Sequence, residues 1–290
     1  MSLLEKIVEF PQGFRNFSKD IKLTGVPRLT FLRSEWDPVP PRDTVVTIPY
    51  LFYRLVFTLY FLFFLVFSIA GTPEPGFWML LATNWTFLSQ TIYSVLNFGN
   101  VFIFWAQEIC GKNHPYYHLN VNWFESMIWF TMNLSYSVPQ FISIAYWSFI
   151  YGASSLVGNV PIGWSLTVHG INAVLAIIDA FIVAAPLNVT HFIYPVLMNG
   201  LYLLMTGLYE VAGGPYETPD RPYIYPILNW RTGQLGAVIT CIASTLSIII
   251  FHFLFWVLVV VRKHLSSKCG TSSGLDSDNN ERKALLDSKI

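Results

Sequence analysis

Charge is scarce in this chain. Only 12% of its 290 residues are Asp, Glu, Lys or Arg, against about 25% in an ordinary soluble domain. That is too little to cover a water-facing surface. The shortage is also local. Residues 49–261 hold four basic residues, Arg54, Lys112, Arg221 and Arg231, while the other thirteen lie in the flanks. Formal net charge is zero, so no basic footprint for nucleic acid is present. Cysteine is scarce too, with Cys110, Cys241 and Cys269 only. An odd number so spaced excludes a disulfide framework. Cys241 sits in an apolar block and reads as a small buried residue. Cys269, close behind the last block in KHLSSKCG, is a palmitoylation candidate. His114 and His118 in GKNHPYYHLN have no carboxylate or cysteine beside them. They read as a polar loop feature, and no metal and no cofactor are expected.

What is present is apolar. Hydrophobic residues make up 53% of the chain and aromatics 17%, gathered into long blocks. A membrane span needs about 20 residues at 1.5 Å each. Six blocks fit, near 49–70, 77–99, 123–150, 161–185, 189–209 and 235–261. The expected fold class is therefore all-α, a polytopic membrane protein of six transmembrane helices. The fourth and fifth blocks are parted only by APLNV, where Pro186 marks the break. No signal peptide is read at the start. The domain reading is an N-terminal segment over 1–48, a six-span domain over 49–261, and a disordered tail over 262–290.

Basic residues orient the spans. The N-terminal segment has seven, the segment between the second and third spans has Lys112, and the tail has six. The first and third loops have none, and the loop between the fifth and sixth spans sets two against three acids. The positive-inside rule puts both termini in the cytosol. The sequons at Asn84, Asn133 and Asn188 then fall within the membrane or on its cytosolic side, so none is expected to be glycosylated. No KDEL-type signal ends the chain, which favours the cell membrane over the endoplasmic reticulum.

Polar residues inside such spans need a reason, because burying one in hydrocarbon without a partner costs several kcal/mol. Counted from the outer ends, Thr83 lies about 9 Å and His169 about 12 Å deep. Asn84 is beside Thr83, and Asn172 follows His169 on the same helix face. An imidazole within about 3 Å activates a threonine hydroxyl as nucleophile. Asn84 and Asn172 are then oxyanion or supporting candidates. A lipid ester would reach such a site sideways from the bilayer. The bland alternative is a threonine bonded to its own backbone and a histidine bonding another helix. Asp179 is about 15 Å further along the same helix, too far to orient His169. Its expected role is an ion pair with Arg54. Glu125 is a further ion-pair candidate near the same side. His191 and Glu210 read as ordinary interfacial residues, and His252 as a polar-core or interhelical residue. The Tyr- and Pro-rich loop 210–234 reads either as a lid or extracellular contact surface, or as an interfacial belt. A transporter would need internal repeats and broken helices. No convincing repeat is seen, and no polar stripe of the pore-lining kind is evident.

Several segments together resemble one family. They are TNWTFLSQ at 83–90, NWFESMIWF at 122–130, HGINAV at 169–174, YPVLMNGLYLLMTGLYEVAGG at 194–214 and YIYPILNW at 223–230. The chain is similar over roughly residues 45–262 to the Rolling stone family of animal multi-pass membrane proteins. That resemblance implies a role in myoblast fusion or developmental cell contact. The residues themselves offer no exposed fusion peptide and no heptad coiled coil. The organisation also resembles that of the androgen-induced and androgen-dependent membrane proteins. Those are hydrolases of fatty acid esters of hydroxy fatty acids that use an intramembrane threonine and histidine. The matching positions here are Thr83 and His169. The match departs after His169, where Gly170-Ile171-Asn172 replaces a Thr-rich stretch.

Overall fold

The computed structural model describes residues 20–37, 45–71, 75–111, 120–151, 162–215 and 223–269. Six long helices dominate these residues: α1 Ile48–Ala70, α2 Ala82–Ile109, α3 Trp123–Ala145, α4 Ile162–Ile182, α5 Val189–Val211 and α6 Gln234–Lys268. Five of them are long and apolar enough to cross a membrane. The exception is α3. It has the length, 23 residues, but it is the more polar helix because it lies at the centre. It packs on α2, α4, α5 and α6, so Glu125, Asn133, Ser135 and Ser137 are buried in protein.

Local chemistry sets the helix starts. Thr47 caps α1 by accepting from the Tyr50 amide at 3.4 Å, with Pro49 in the first turn. Asn122 and Glu125 form a reciprocal capping box on α3. α2 has no side-chain cap of its own, since Leu81 occupies the cap position. Its first amide, Ala82 N–H, donates to the Tyr225 hydroxyl at 3.2 Å instead. Helix ends differ from the hydropathy pattern. α2 covers Ala82–Ile109 where the pattern suggests 77–99, and α6 continues to Lys268, past 261. Hydropathy marks apolar content, whereas helices continue as long as neighbours satisfy their ends.

The outer helices have outward apolar faces. In α1, Phe52, Val56, Leu59 and Phe63 are exposed at helical spacing. Only 22% of the apolar window of α1 or α5 is buried, against 56% for α2. α2 is therefore an inner helix. Its buried face carries Thr83, Thr86, Gln90, Ser94 and Asn97. This is a polar stripe, which the sequence pattern did not reveal. Most of it is closed on itself: Thr86 donates to Ala82 O at 3.0 Å and Ser94 to Thr91 O at 2.8 Å.

The described parts of the two terminal segments, within 20–37 and 262–269, meet at one end of the bundle. Arg262 at the end of α6 lies 3.4 Å from Glu35, and Ser266 donates to Glu35 at 2.9 Å. Arg262 also donates to the carbonyls of Ala180, Val183 and Ala185, closing the C-terminal end of α4. The chain runs extended from Val183 to Asn188 through Pro186 before α5 begins. The opposite end holds the starts of α2 and α4, the end of α3 and the described part of loop 210–234.

Candidate functional site

Thr83 is in the first turn of α2 and is buried. His169 lies on α4 within a π-helical turn, Leu166–Ile171. A second π-helical turn, Tyr146–Ile150, continues the end of α3. A π-turn inserts a residue and re-aims the side chains that follow, and such turns gather at functional sites. Here the two turns face each other. They bring together Thr83 Oγ1 and His169 Nδ1, 3.3 Å apart. The Tyr146 ring lies flat on the imidazole, with centroids 3.4 Å apart and planes at 10°. Tyr146 donates its hydroxyl to Ser165 at 2.8 Å, one turn before His169 on α4. The carbonyl of Thr167, inside the π-turn, accepts from the Tyr60 hydroxyl at 3.4 Å.

The two asparagines near the pair are bonded locally. Asn84 donates to the Trp78 carbonyl and Asn172 to the Val168 carbonyl, both at 2.7 Å. The Asn172 side-chain oxygen and the Gln90 side-chain oxygen are buried without a partner among the described residues. Gln90 itself donates to the Asn172 backbone carbonyl at 3.3 Å. An apolar groove of about 440 Å³ runs along α5 beside Leu201, Leu204 and Leu208. Neither Thr83 nor His169 lines it.

The described residues of loop 210–234, 210–215 and 223–234, lie at this end. Glu210 is 1% exposed, so it is not the ordinary interfacial residue its position suggested. Its carboxylate accepts the amides of Trp230 at 2.9 Å and Ile224 at 3.3 Å. Trp230 Nε1 donates to Thr206 at 3.2 Å. Tyr225 caps Ala82, next to Thr83, and Tyr202 donates to the Leu80 carbonyl at 2.8 Å. Burial of the Tyr225 hydroxyl between Ala82 and Tyr202 pushes its pKa up to about 12.

A second polar centre lies deeper in the bundle, toward the end where Arg262 meets Glu35. Arg54 donates to Asp179 at 2.8 Å with both side chains fully buried. Tyr53 adds a donor to Asp179 at 2.8 Å, Tyr93 one at 2.6 Å and Tyr136 one at 2.7 Å. The guanidinium also bonds Tyr50 at 3.0 Å and lies over the rings of Tyr50, Tyr53, Phe57 and Tyr93. Glu125 is paired with Arg28, 2.6 Å away.

His191 and His252 are structural by their contacts. His191 is fully buried, not interfacial. It packs edge-on against Trp129 and its Nε2 lies 3.0 Å from the Asp20 carbonyl. His252 joins Ser137 on α3, at 3.2 Å, to the Asn188 carbonyl, at 2.9 Å. No group of three or more His, Cys, Asp or Glu suited to a metal occurs among the described residues. His114, His118, residues 216–222 and the tail beyond Cys269 lie outside the described residues.

The sequence alone singled out Thr83, His169, Arg54 and Asp179, but missed Tyr146, Tyr225 and Arg262. For Arg54, one signal was readable: Tyr50, Tyr53 and Phe57 lie three or four residues from it or one from it on the same helix. For Tyr146 none was, because helical periodicity fails where a π-turn begins.

The family model described as Protein rolling stone matches residues 24–270. The chain belongs to the Rolling stone family. It is 27% identical over 245 residues to Protein rolling stone of Drosophila melanogaster, covering 79% of this chain and 80% of the relative. The match takes in every helix of the bundle, with both polar centres and loop 210–234. Family membership agrees with a multi-pass membrane protein. No solved structure matches the chain.

Proposed function

We propose that this Rolling stone-family protein is an intramembrane hydrolase of lipid esters, with Thr83 as nucleophile and His169 as base. The 3.3 Å contact between Thr83 Oγ1 and His169 Nδ1, at the outer end of an apolar bundle, carries this reading. Contacts of this kind tighten when substrate binds. In the first step Thr83 Oγ attacks the ester carbonyl carbon and its proton passes to His169 Nδ1. The tetrahedral adduct collapses, and His169 returns that proton to the leaving alcohol. The acyl group stays on Thr83 as an ester. Water then attacks this ester, giving one proton to His169. The carboxylic acid leaves, and the proton restores the Thr83 hydroxyl. No cofactor enters any step. The similarity to fatty-ester hydrolases suggests fatty acid esters of hydroxy fatty acids as substrates, entering from the bilayer.

In this reading α3 is the sixth span, shielded by its neighbours, and both termini face the cytosol of a cell-membrane protein. The shared location of the terminal segments and the distribution of basic residues support that topology. A second reading is a non-catalytic contact protein in cell fusion or development, as the family resemblance implies. The ordered fold of residues 223–233 around Glu210 favours it as an extracellular contact surface. In that case Thr83–His169 is a packing bond.

Activity-based labelling separates the two. The purified chain is treated with a long-chain fluorophosphonate probe beside Thr83→Ala and His169→Ala. Labelling of the wild type that is lost in both folded variants supports the hydrolase. Absence of labelling, together with an untouched panel of fatty esters, overturns it.

A further inference from the structure

We propose that Tyr146 is the electrostatic partner of His169: its ring face positions the imidazole and stabilises the imidazolium formed when Thr83 gives up its proton. This rests on the hydrolase reading. In hydroxyl–histidine pairs a third group orients the base and balances its transient charge. A carboxylate usually does this. Here Asp179 is engaged elsewhere, with Arg54 and three tyrosines. Among the described residues, no bond is assigned to His169 Nε2.

The Tyr146 ring takes the part of that third group from the face of the imidazole, where a carboxylate would accept from the ring N–H in the plane. Its centroid is 3.4 Å from that of the imidazole and the planes meet at 10°. With the separation this short, the rings overlap without offset. Two neutral aromatic rings avoid such a sandwich, because the negative faces of their π-systems oppose each other. A cation over the same face is attracted, and more strongly where water is excluded. The stack therefore suits the charged imidazole better than the neutral one. Charge on His169 is the state created when Thr83 attacks.

The arrangement is also built rather than incidental. Tyr146 is held by its hydroxyl on Ser165, so the ring is tethered to the helix that carries His169. Both rings sit in π-turns, one on each helix. Gly170 follows His169, and a Cβ there would lie 3.1 Å from the Leu166 side chain of the same helix and only at van der Waals distance, 3.9 Å, from Trp147 Nε1. Tyr146 acts through His169 and is a positioning residue, not a catalytic one.

The test uses the full-length chain in lipid nanodiscs. Wild type, Tyr146→Phe, Tyr146→Leu and Thr83→Ala are labelled with the long-chain fluorophosphonate probe. The His169 ring protons are followed by NMR with isotope-labelled histidine. Phe keeps the ring face, so its labelling rate should stay within about twofold of wild type, whereas Leu should lose about tenfold or more. The His169 ring protons should be shifted upfield by the tyrosine face in wild type and Tyr146→Phe, and should return to the ordinary range in Tyr146→Leu. Absence of the upfield shift in the wild type overturns the proposal without needing any variant. So does equal labelling of folded Tyr146→Leu and wild type, which leaves the hydrolase standing. A shifted His169 in a wild type that labels no better than Thr83→Ala marks failure of the hydrolase reading itself, and this proposal falls with it.

Discussion

The two polar centres of this bundle are built in opposite ways. Around Asp179 four donors converge on one buried carboxylate, and its partner Arg54 is wrapped in tyrosines. Around His169 one hydroxyl lies 3.3 Å away and one ring covers the face. The first centre is saturated. Its charges are balanced and every move would leave one of them uncompensated in a low-dielectric interior. The second is sparse. It has a base, a hydroxyl and a π-helical turn beneath them. Saturation fixes helices; a sparse pair retains the capacity to exchange a proton with something else. That contrast separates a structural keystone from a candidate site in the same molecule, although both are polar residues in apolar helices.

The contrast can be broken first at Asp179. Asp179→Ala leaves Arg54 buried without its counter-charge, and should cost about 3–5 kcal/mol of stability. Thermal or SDS-titrated unfolding in detergent measures this. Replacing both partners, Arg54→Met with Asp179→Leu, should recover most of the loss, since paired removal leaves no orphan charge. A double variant as unstable as Asp179→Ala would show that the tyrosine cage, not the charge balance, holds the centre.

The next effect in size is at Arg262. Arg262→Met removes the donors that close the end of α4 and should cost about 2 kcal/mol, the scale of lost charge-assisted hydrogen bonds. The same unfolding experiment reads it. Thr83→Ala tests the contrast from the other side. It removes one weak hydrogen bond, so stability should change by about 1 kcal/mol or less, while probe labelling is abolished. Equal stability losses at Thr83 and Asp179 would erase the distinction between the centres.

The smallest effect is one of pH. The Tyr225 hydroxyl caps α2, and its burial raises its pKa from the ordinary value near 10 to about 12. The folded chain therefore holds the phenol proton where the unfolded chain releases it. Stability from this group is intact below pH 10 and declines as pH rises from there toward 12. Tyr225→Phe should flatten that part of the profile, measured as thermal stability between pH 8 and 11.

How much of this was legible in the sequence varies with the kind of feature. Apolar blocks announced the helices, and the family resemblance rested on quoted segments. Pro186 marked the break between α4 and α5 correctly because proline cannot continue the preceding helix. Thr83, His169, Arg54 and Asp179 stood out because polar groups in apolar runs demand an explanation. His191 and Glu210 were misread as interfacial, since position along a helix does not reveal what folds over its end. The polar face of α2 was invisible because hydropathy averages a helix around its circumference, and burial depends on which face meets a neighbour.

The sequence alone therefore specified the class of molecule: all-helical, multi-pass, with most of its scarce charges outside long apolar blocks. It did so because lipid demands contiguous apolar length and internally satisfied backbone. Which polar residues meet was set by the packing of the helices. That packing placed Asp179 among four donors, Glu210 under a folded loop, and His169 between Thr83 and the face of Tyr146. Those meetings depend on helix rotation and on two π-turns, whose single-residue shifts leave hydrophobicity unchanged and redirect every side chain that follows.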